Sequence, residues 1–250
     1  MNKYGLLGHK LSHSASPIIH KYIFDKNNIE GSYELIEIEE EQLPEYVEKV
    51  RNGIYSGLNV TIPYKKKIIP FLDELSPASL NIGAVNTVYL KDGKVIGDNT
   101  DYLGFIDEVN AYNIDVCGKD VYILGSGGAS RAIVYALKIL GANPIVVSRK
   151  IGFGISYDEL KSIDHYSLIV NTTPLGMYPR CGECPLDVDT IKKADSVLDI
   201  ICNPKVTKFM EASKEGYNGI LMLIFQAIHA EEIWQNKSIE YDLSELLELL

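Results

Sequence analysis

A glycine-rich turn between a buried strand and a helix constrains the fold of this chain more than any other feature of its sequence. Val121–Leu124 is a continuous apolar run of the kind that is buried in a parallel sheet. A GSGGAS turn follows at once, and a helical pattern then continues through Leu140. In this context glycines allow a tight turn and a close approach of the main chain to a pyrophosphate, which the N–H groups at the helix start can bind. The turn therefore predicts a dinucleotide cofactor, which we expect to bind beside Gly125, Ser126, Gly127, Gly128 and Ala129.

The residues at the end of the next strand indicate whether the dinucleotide is NAD or NADP. In an NAD-binding chain an acidic side chain about 20 residues past the turn bonds the ribose 2′-hydroxyl. Here the strand at 145–147 ends instead in Ser148, Arg149 and Lys150. Adjacent cations suit the 2′-phosphate of NADP, because they form charge-assisted hydrogen bonds with it. The sequence therefore predicts NADP.

Length, charge and cysteine content limit the class of protein. A chain of 250 residues suits two modest domains or one large one. Its formal net charge of −10 argues against nucleic acid or an anionic membrane as partner, because both are negatively charged and bind proteins through basic patches. The longest apolar run, Ile220–Phe225, is far shorter than the roughly 18 residues of a membrane span. Because the chain shows no secretory pattern and has too few cysteines for a disulfide scaffold, we expect it in the cytoplasm. We further expect a monomer or homodimer that acts on a small molecule.

Alternating strand and helix patterns predict an α/β protein. The N-terminal part reads as strands at 4–7, 33–36 and 57–61, helices at 16–27 and 40–50, and a hairpin at 84–98. Ser16 is placed to be the N-cap of the first helix, with Pro17 in its first turn. A βαβ succession from residue 121 predicts a Rossmann-like domain, and helices at 207–215, 220–234 and 243–250 close the chain. We predict an N-terminal α/β substrate domain of residues 1–100 plus 220–250 and a dinucleotide-binding domain of residues 101–219.

Polar segments at predicted strand ends indicate a second site. Hydroxyl, amide and charged side chains stand where α/β folds bind ligands, in GHKLSHSASP at 8–17, NVTIPYK at 59–65, GAVNT at 83–87 and GDNTD at 97–101. The glycine turn, NTTPLGM at 171–177, Asn203-Pro204 and MLIFQA at 222–227 complete an ordered set. This set resembles the shikimate dehydrogenases over essentially the whole chain.

The resemblance implies an enzyme of aromatic amino-acid biosynthesis that reduces 3-dehydroshikimate to shikimate with NADPH, in a cleft between its two domains. Lys65 and Asp101 would form the catalytic pair. The substrate carboxylate would be held by Ser14 and Ser16, and the ring or its hydroxyls would be contacted by Thr61, Asn86 and Gln226. The nicotinamide would be bordered by Asn171, Thr172, Met177 and Leu221.

The residue types themselves suit these roles. Ser14 and Ser16, two positions apart at a loop-to-helix junction, can both donate to a carboxylate that the helix start also stabilises. Lys65 can give the reduced carbonyl oxygen its proton while Asp101 orients the ammonium group. Lys66 and Lys67 are interpreted as solvated charges.

The chain departs from the family pattern in three places. Cys202 stands where a tyrosine usually precedes Asn-Pro, Leu221 stands where a glycine usually precedes Met-Leu, and residues 151–156 are too few and too glycine-rich for the usual crossover helix. Two alternatives stay open: a quinate/shikimate paralogue that uses NAD, favoured if Arg149 points to solvent, and a dinucleotide-binding sensor that has lost turnover, which only Cys202 and Leu221 support. For Cys202 itself, a position facing the substrate carboxylate and a buried packing role are equally open.

Other cysteine and histidine patterns carry less information. Cys181 and Cys184 have redox spacing but lie outside a strand-to-helix context, so we interpret them as part of a variable loop. His9, His13 and His20 have no partner at metal-ligand spacing, and no metal is predicted.

Replacing Arg149 by alanine should narrow the preference for NADP over NAD, because the bidentate bond of a guanidinium to the 2′-phosphate has no counterpart in NAD. The measurement is kcat/KM with each cofactor for the wild type and Arg149→Ala. A wild-type enzyme that already prefers NAD would contradict the prediction and favour the paralogue.

Overall fold

The structure, a computed structural model, describes residues 1–11 and 14–250 and divides into two compact units. The first comprises residues 1–100 and 226–250, and the second comprises residues 101–225. The sequence predicted that the chain returns to the first domain at residue 220, where a helix begins. In the structure the division falls inside that helix, because Met222 packs into the core of the second unit.

The elements of the chain follow in order. The first ten are β1 Asn2–Gly8, α1 Ser16–Asn27, β2 Gly31–Glu37, α2 Leu43–Arg51, β3 Gly57–Val60, β4 Glu74–Leu75, α3 Pro77–Ile82, β5 Thr87–Lys91, β6 Lys94–Asp98 and α4 Asp101–Ala111. The rest are β7 Asp120–Leu124, α5 Gly128–Ile139, β8 Asn143–Val147, α6 Tyr157–Lys161, β9 Tyr166–Asn171, α7 Val188–Ile191, β10 Ala194–Asp199, α8 Lys208–Glu211, β11 Gly216–Asn218, α9 Ile220–Gln235 and α10 Leu243–Leu249. Short 3₁₀ turns at Glu40–Gln42 and Ile69–Phe71 precede α2 and β4.

The first unit is built on a mixed six-stranded sheet in the order β2-β1-β3-β5-β6-β4. β1 pairs in parallel with β2 and β3, whereas β5 is antiparallel to both β3 and β6. The carboxyl ends of β1 and β3 therefore lie at the same edge of the sheet as the start of β5. At this edge the Val60 N–H donates to the Asn86 carbonyl at 2.8 Å, and the Asn86 N–H donates to the Asp98 carbonyl at 3.0 Å. Residues far apart in sequence are thus fixed beside one another.

The second unit is built on a five-stranded parallel sheet in the order β11-β10-β9-β7-β8. From β7 the chain moves to β8 on one side and then returns to β9 on the other. At such a reversal the loops after the two central strands turn to opposite faces and leave a crevice, which is where open α/β sheets bind ligands. The loops that begin at Gly125 and Thr172 meet this condition.

Apolar sequence runs account for the long elements. The strands predicted at 121–124, 145–147, 168–171 and 197–200 are confirmed, as are the helices that begin at Ser16 and Ile220. Short elements such as α6, α7 and β11 were not predicted, because three to five residues are too few to show a period. The helix predicted over 207–215 was wrong beyond Glu211, since Gly216–Asn218 instead pairs with β10 as an edge strand.

The start of α1 also differs from prediction. Ser16 is the first helical residue, and the N-cap is Ala15, whose side chain forms no capping hydrogen bond. Ser12 and His13, in the same loop, lie outside the described residues. Among the helices of the described chain, none has both the length and the apolar character that crossing a membrane requires.

Trp234 packs closely over β3. Its indole stacks on the Tyr4 ring at a centroid distance of 4.9 Å, and its Nε1–H donates to the Val88 carbonyl at 3.3 Å. A Cβ added to Gly57 would overlap the indole ring. This position therefore requires glycine for space.

Gly57→Ala should lower the free energy of unfolding by about 1–3 kcal/mol, the usual cost of forcing an extra methyl into a packed core. Chemical denaturation measures the change. Gly182→Ala is the control, because Gly182 is exposed and no described atom lies within 4 Å of an added Cβ. Equal stability of the two variants would contradict the packing argument.

Candidate active site

Ser14 and Ser16 lie together at the start of α1. The Ser14 hydroxyl donates to the Ser16 hydroxyl at 3.1 Å, and the Ser16 N–H donates to the Ser14 hydroxyl at 3.3 Å. Ser16 is buried, and Ser14 is partly exposed. The start of α1 also carries the positive end of the helix dipole, which favours a negative charge there. The arrangement suits an anionic group such as a carboxylate.

A buried amide network fixes Asn86. Its side-chain oxygen accepts from the Thr100 N–H at 2.7 Å and from the Thr87 hydroxyl at 2.9 Å. Its side-chain nitrogen donates to the Thr100 hydroxyl at 3.0 Å and to the Gln226 side-chain oxygen at 3.3 Å. These bonds fix the orientation of the Asn86 amide and place Gln226, on α9, next to it. The first unit thus brings together two residues that the sequence predicted as substrate ligands.

The backbone around Lys65 is fixed on both sides. The Thr61 N–H donates to the Leu7 carbonyl at 2.9 Å, and the Val85 N–H donates to the Lys65 carbonyl at 2.7 Å. Lys65 is partly buried, whereas Lys66 and Lys67 are exposed, and Lys67 pairs with Glu40. The exposure agrees with the interpretation of Lys66 and Lys67 as solvated. Thr61 and Lys65 thus follow β3 at the edge that also carries Asn86.

Asp101 opens α4 in the second unit. Its side chain is buried, and it directly follows Thr100, which bonds to Asn86. A carboxylate in the first turn of a helix is stabilised by the helix dipole.

The turn after β7 has the geometry of an anion cradle. Gly125 has φ +111°, in the left-handed region, and a Cβ there would lie 2.8 Å from the Thr172 hydroxyl oxygen. Gly127 is the N-cap of α5, and no described side chain bonds the N–H groups of that first turn. No described atom would meet a Cβ at Gly127, so the space beside it is open. Open N–H donors at the start of a 12-residue helix fit a dinucleotide pyrophosphate.

Cationic side chains lie at the end of β8. The Ser148 hydroxyl donates to the Ser126 hydroxyl at 3.2 Å and accepts from the Lys150 N–H at 3.0 Å, which connects this strand end to the glycine turn. Arg149 and Lys150 are exposed, and neither forms an ion pair within the part of the chain that the structure describes. Both cations can therefore receive a phosphate.

The strand end after β9 is locked by hydrogen bonds. The Asn171 side-chain nitrogen donates to the Asp199 carboxylate at 3.0 Å, and its oxygen accepts from the Thr173 hydroxyl at 2.7 Å. Burial raises the pKa of Asp199 to about 6. The Thr172 hydroxyl donates to the Leu124 carbonyl at 2.6 Å, which ties the β9 loop to the strand before the glycine turn. Met177, further along, is exposed.

Comparisons with known proteins identify the family. Residues 6–88 match the shikimate dehydrogenase substrate binding domain. A curated protein named shikimate dehydrogenase (NADP(+)) from Clostridium beijerinckii is 42% identical over 260 aligned residues, which cover 98% of this chain and 96% of that protein. The chain belongs to the shikimate dehydrogenase family.

Solved structures of shikimate dehydrogenases have the same fold. The chain matches shikimate dehydrogenase 1 from Peptoclostridium difficile with a TM-score of 0.89 and 40% identity, covering 100% of both chains. It matches shikimate 5-dehydrogenase from Thermus thermophilus, solved in complex with NADP(H) and shikimate, with a TM-score of 0.89 and 30% identity, covering 100% of this chain and 98% of that one. The predicted α/β architecture with a Rossmann-like sheet is confirmed.

Two of the three departures from the shikimate dehydrogenase pattern, Cys202 and Leu221, lie close to the buried carboxyl group of Glu108. Leu221 is buried in the first turn of α9. Burial raises the pKa of the Cys202 thiol to about 12, with further contributions from the carboxyl groups of Glu108 and Asp199. The thiol therefore stays protonated at neutral pH, and its sulfur lies 3.8 Å from the Ile200 carbonyl oxygen.

Glu108 is a residue of this region that the sequence reasoning missed. One of its oxygens accepts the Met222 N–H at 3.1 Å, in the first turn of α9, and its other oxygen has no hydrogen-bond partner among the described residues. Burial raises the pKa of Glu108 to about 8. Phe105 and Val109 share its helix face, so an acidic residue inside an apolar stripe was the signal available in the sequence.

Replacing Glu108 by glutamine should remove a pH dependence of stability. The pKa of Glu108 is raised to about 8 when folded, against about 4.3 in an unfolded chain. Between these values only the unfolded state has lost its proton, so the wild type loses stability as pH rises through this window. The Glu108→Gln variant does not ionise, and its free energy of unfolding relative to the wild type should increase from about pH 5 to about pH 8.

Denaturant unfolding at several pH values measures this difference. Glu211→Gln is the control, because Glu211 is exposed and pairs only with Lys208 among the described residues. A Glu108→Gln difference that stays constant with pH would contradict the assignment.

Proposed function

We propose that this chain, as a monomer or homodimer, catalyses the NADP-dependent interconversion of 3-dehydroshikimate and shikimate in aromatic amino-acid biosynthesis. The observation that carries the proposal is the Asn86 network, which holds Gln226 and Thr100 at one edge of the first sheet, in a chain 42% identical to a protein named shikimate dehydrogenase (NADP(+)). Amide and hydroxyl groups fixed in this way suit a substrate that carries several hydroxyls.

The substrate carboxylate is assigned to Ser14 and Ser16. Their hydroxyls lie 3.1 Å apart, so one carboxylate can accept a hydrogen bond from each, and the positive end of the α1 dipole adds a favourable potential. Asn86, Gln226 and Thr61 are assigned to the ring and its hydroxyls. The carboxylate does not change charge in the reaction, so these serines contribute to binding rather than to the chemical step.

Proton transfer is assigned to Lys65 and Asp101. When bound, NADPH supplies the hydride that reduces the substrate carbonyl. The Lys65 ammonium donates a proton to the carbonyl oxygen and takes it back in the reverse direction. Asp101 orients the ammonium and balances its charge. The fixed backbone on both sides of Lys65 supports this role, because an acid must be positioned as well as charged.

The second unit is assigned to the cofactor. The open N–H groups at Gly127 and Gly128 would hold the pyrophosphate, and Ser148, Arg149 and Lys150 would hold the 2′-phosphate. Residues proposed to border the nicotinamide are Asn171, Thr172, Met177 and Leu221. These contacts are local, which lets a chain with a net charge of −10 capture an anionic cofactor.

Absorbance in the NADPH band tests the proposed function. We expect rapid growth of this band with shikimate plus NADP and much slower reduction with quinate plus NAD. Faster turnover with quinate plus NAD would indicate the paralogue. Cofactor binding without turnover in either mixture would indicate a sensor, and both results contradict the proposal.

Lys65→Ala should lower kcat by about 10²–10⁴ with a smaller change in KM, which is the usual effect of losing a general acid. Steady-state kinetics of the purified, folded variant measures it. Lys67→Ala is the matched control, because Lys67 is an exposed lysine of the same segment that pairs with Glu40. Similar turnover in both variants would remove Lys65 from the mechanism.

A further inference from the structure

A buried histidine–glutamate pair joins the two helices that carry predicted substrate ligands. Nδ1 of His20 lies 2.6 Å from Oε1 of Glu231, and both side chains are fully buried. His20 is one turn after Ser16 on α1, and Glu231 follows Gln226 on α9. The second oxygen of Glu231 accepts a hydrogen bond from the Gln235 amide at 2.9 Å. The pair therefore fixes α1 against α9 close to the residues proposed to bind shikimate.

Tyr33 extends this contact to the edge of the first sheet that carries Asn86, where we propose that the substrate binds. Its ring stacks on the His20 imidazole at a centroid distance of 3.8 Å and an interplanar angle of 8°. Its hydroxyl donates to the Asn59 side-chain oxygen at 2.7 Å, and the Asn59 nitrogen donates to the Asn86 carbonyl at 3.2 Å. Burial raises the pKa of the Tyr33 hydroxyl well above its usual range, and the nearby Glu231 carboxyl group adds to the shift. Tyr33 therefore contacts both His20 on α1 and Asn59 on β3.

These contacts form a closed circuit. It runs from Gln226 through Asn86, Asn59, Tyr33, His20 and Glu231 and returns along α9 to Gln226. Because the circuit is closed, a movement of α1 relative to α9 must break at least one of its contacts. The separation between Ser16 and Gln226 is fixed in this way.

We propose that His20, Glu231 and Tyr33 are positioning residues for shikimate. The inference rests on the proposed function, since it takes shikimate as the ligand of this edge. The three side chains fix the distance between Ser16 and Gln226. Ser16 is proposed to bind the carboxylate of shikimate, and Gln226 is proposed to bind its ring hydroxyls. Protein side chains that are already in position before shikimate arrives lose less conformational freedom when it binds. Loosening the circuit therefore weakens binding.

Stability alone does not account for a buried pair of this kind. Moving two charged or strongly polar side chains out of water carries a desolvation cost, and replacing such pairs by apolar residues of similar volume is often neutral or stabilising. A directional contact of 2.6 Å, in contrast, sets the distance between two helices. Its effect on shikimate binding can therefore be separated from its effect on folding.

Tyr33→Phe is the variant that tests the inference, because it keeps the ring on His20 and removes only the hydroxyl. We expect the KM for shikimate to rise about threefold to tenfold, the value of one neutral hydrogen bond, with little change in kcat or in the KM for NADP. Tyr55→Phe is the matched control. Tyr55 lies in the same unit, and its hydroxyl bonds to Glu34 at 2.6 Å, away from the predicted substrate ligands.

A second variant tests the pair itself. Glu231→Gln keeps an oxygen that can accept from His20, so its KM for shikimate should stay nearer the wild type than that of Glu231→Ala. Should Glu231→Ala not fold, the Tyr33→Phe result decides alone. An equal KM for shikimate in Tyr33→Phe and Tyr55→Phe would overturn the inference. No turnover of shikimate by the wild type would instead contradict the proposed function.

Discussion

The buried amide of Asn86 is the interaction on which the rest of the proposed substrate site depends. Its backbone joins β3 to β6, and its side chain joins Thr100 to Gln226. A buried amide is costly to leave unpaired, so each of its partners is held in place by the others. Helix α1, which begins at Ser16, joins the same edge through the stacking of His20 on Tyr33 and the Tyr33–Asn59 hydrogen bond. The groups that we propose to bind the carboxylate and the ring hydroxyls are therefore held in place by contacts within the protein.

The second unit is proposed to bind the anionic cofactor, although the protein as a whole is acidic. Reversal of strand order at β7 brings the Gly125 turn beside Thr172, where a side chain on Gly125 would collide with the threonine hydroxyl. The absence of a side chain there allows the turn, and the uncapped start of α5 then offers its N–H groups. Arg149 and Lys150 add charge only at the end of β8. We propose that local dipoles and these two cations bind the anionic cofactor although the net charge of the protein opposes its binding.

The sequence predicted those parts of the molecule whose signal is local. An apolar run followed by a glycine turn identifies β7 and α5, and the ordered motifs identify the family. The pairing of His20 with Glu231 joins residues 211 positions apart, so no local pattern shows it. The N-cap prediction for Ser16 was wrong, because the helix begins one residue earlier than that role requires and the Ser16 hydroxyl instead bonds to Ser14. Glu108 was missed since an acidic residue on a helix usually faces solvent.

A crystal structure of the protein with shikimate and NADP is the most direct test of the central claim, that the loop after β1 and the Asn86 network form the substrate site. We expect the shikimate carboxylate within hydrogen-bond distance of the Ser14 and Ser16 hydroxyls, with ring hydroxyls on Asn86 and Gln226. Well-defined shikimate whose carboxylate lies away from both serines would contradict the claim, whatever the rate of turnover.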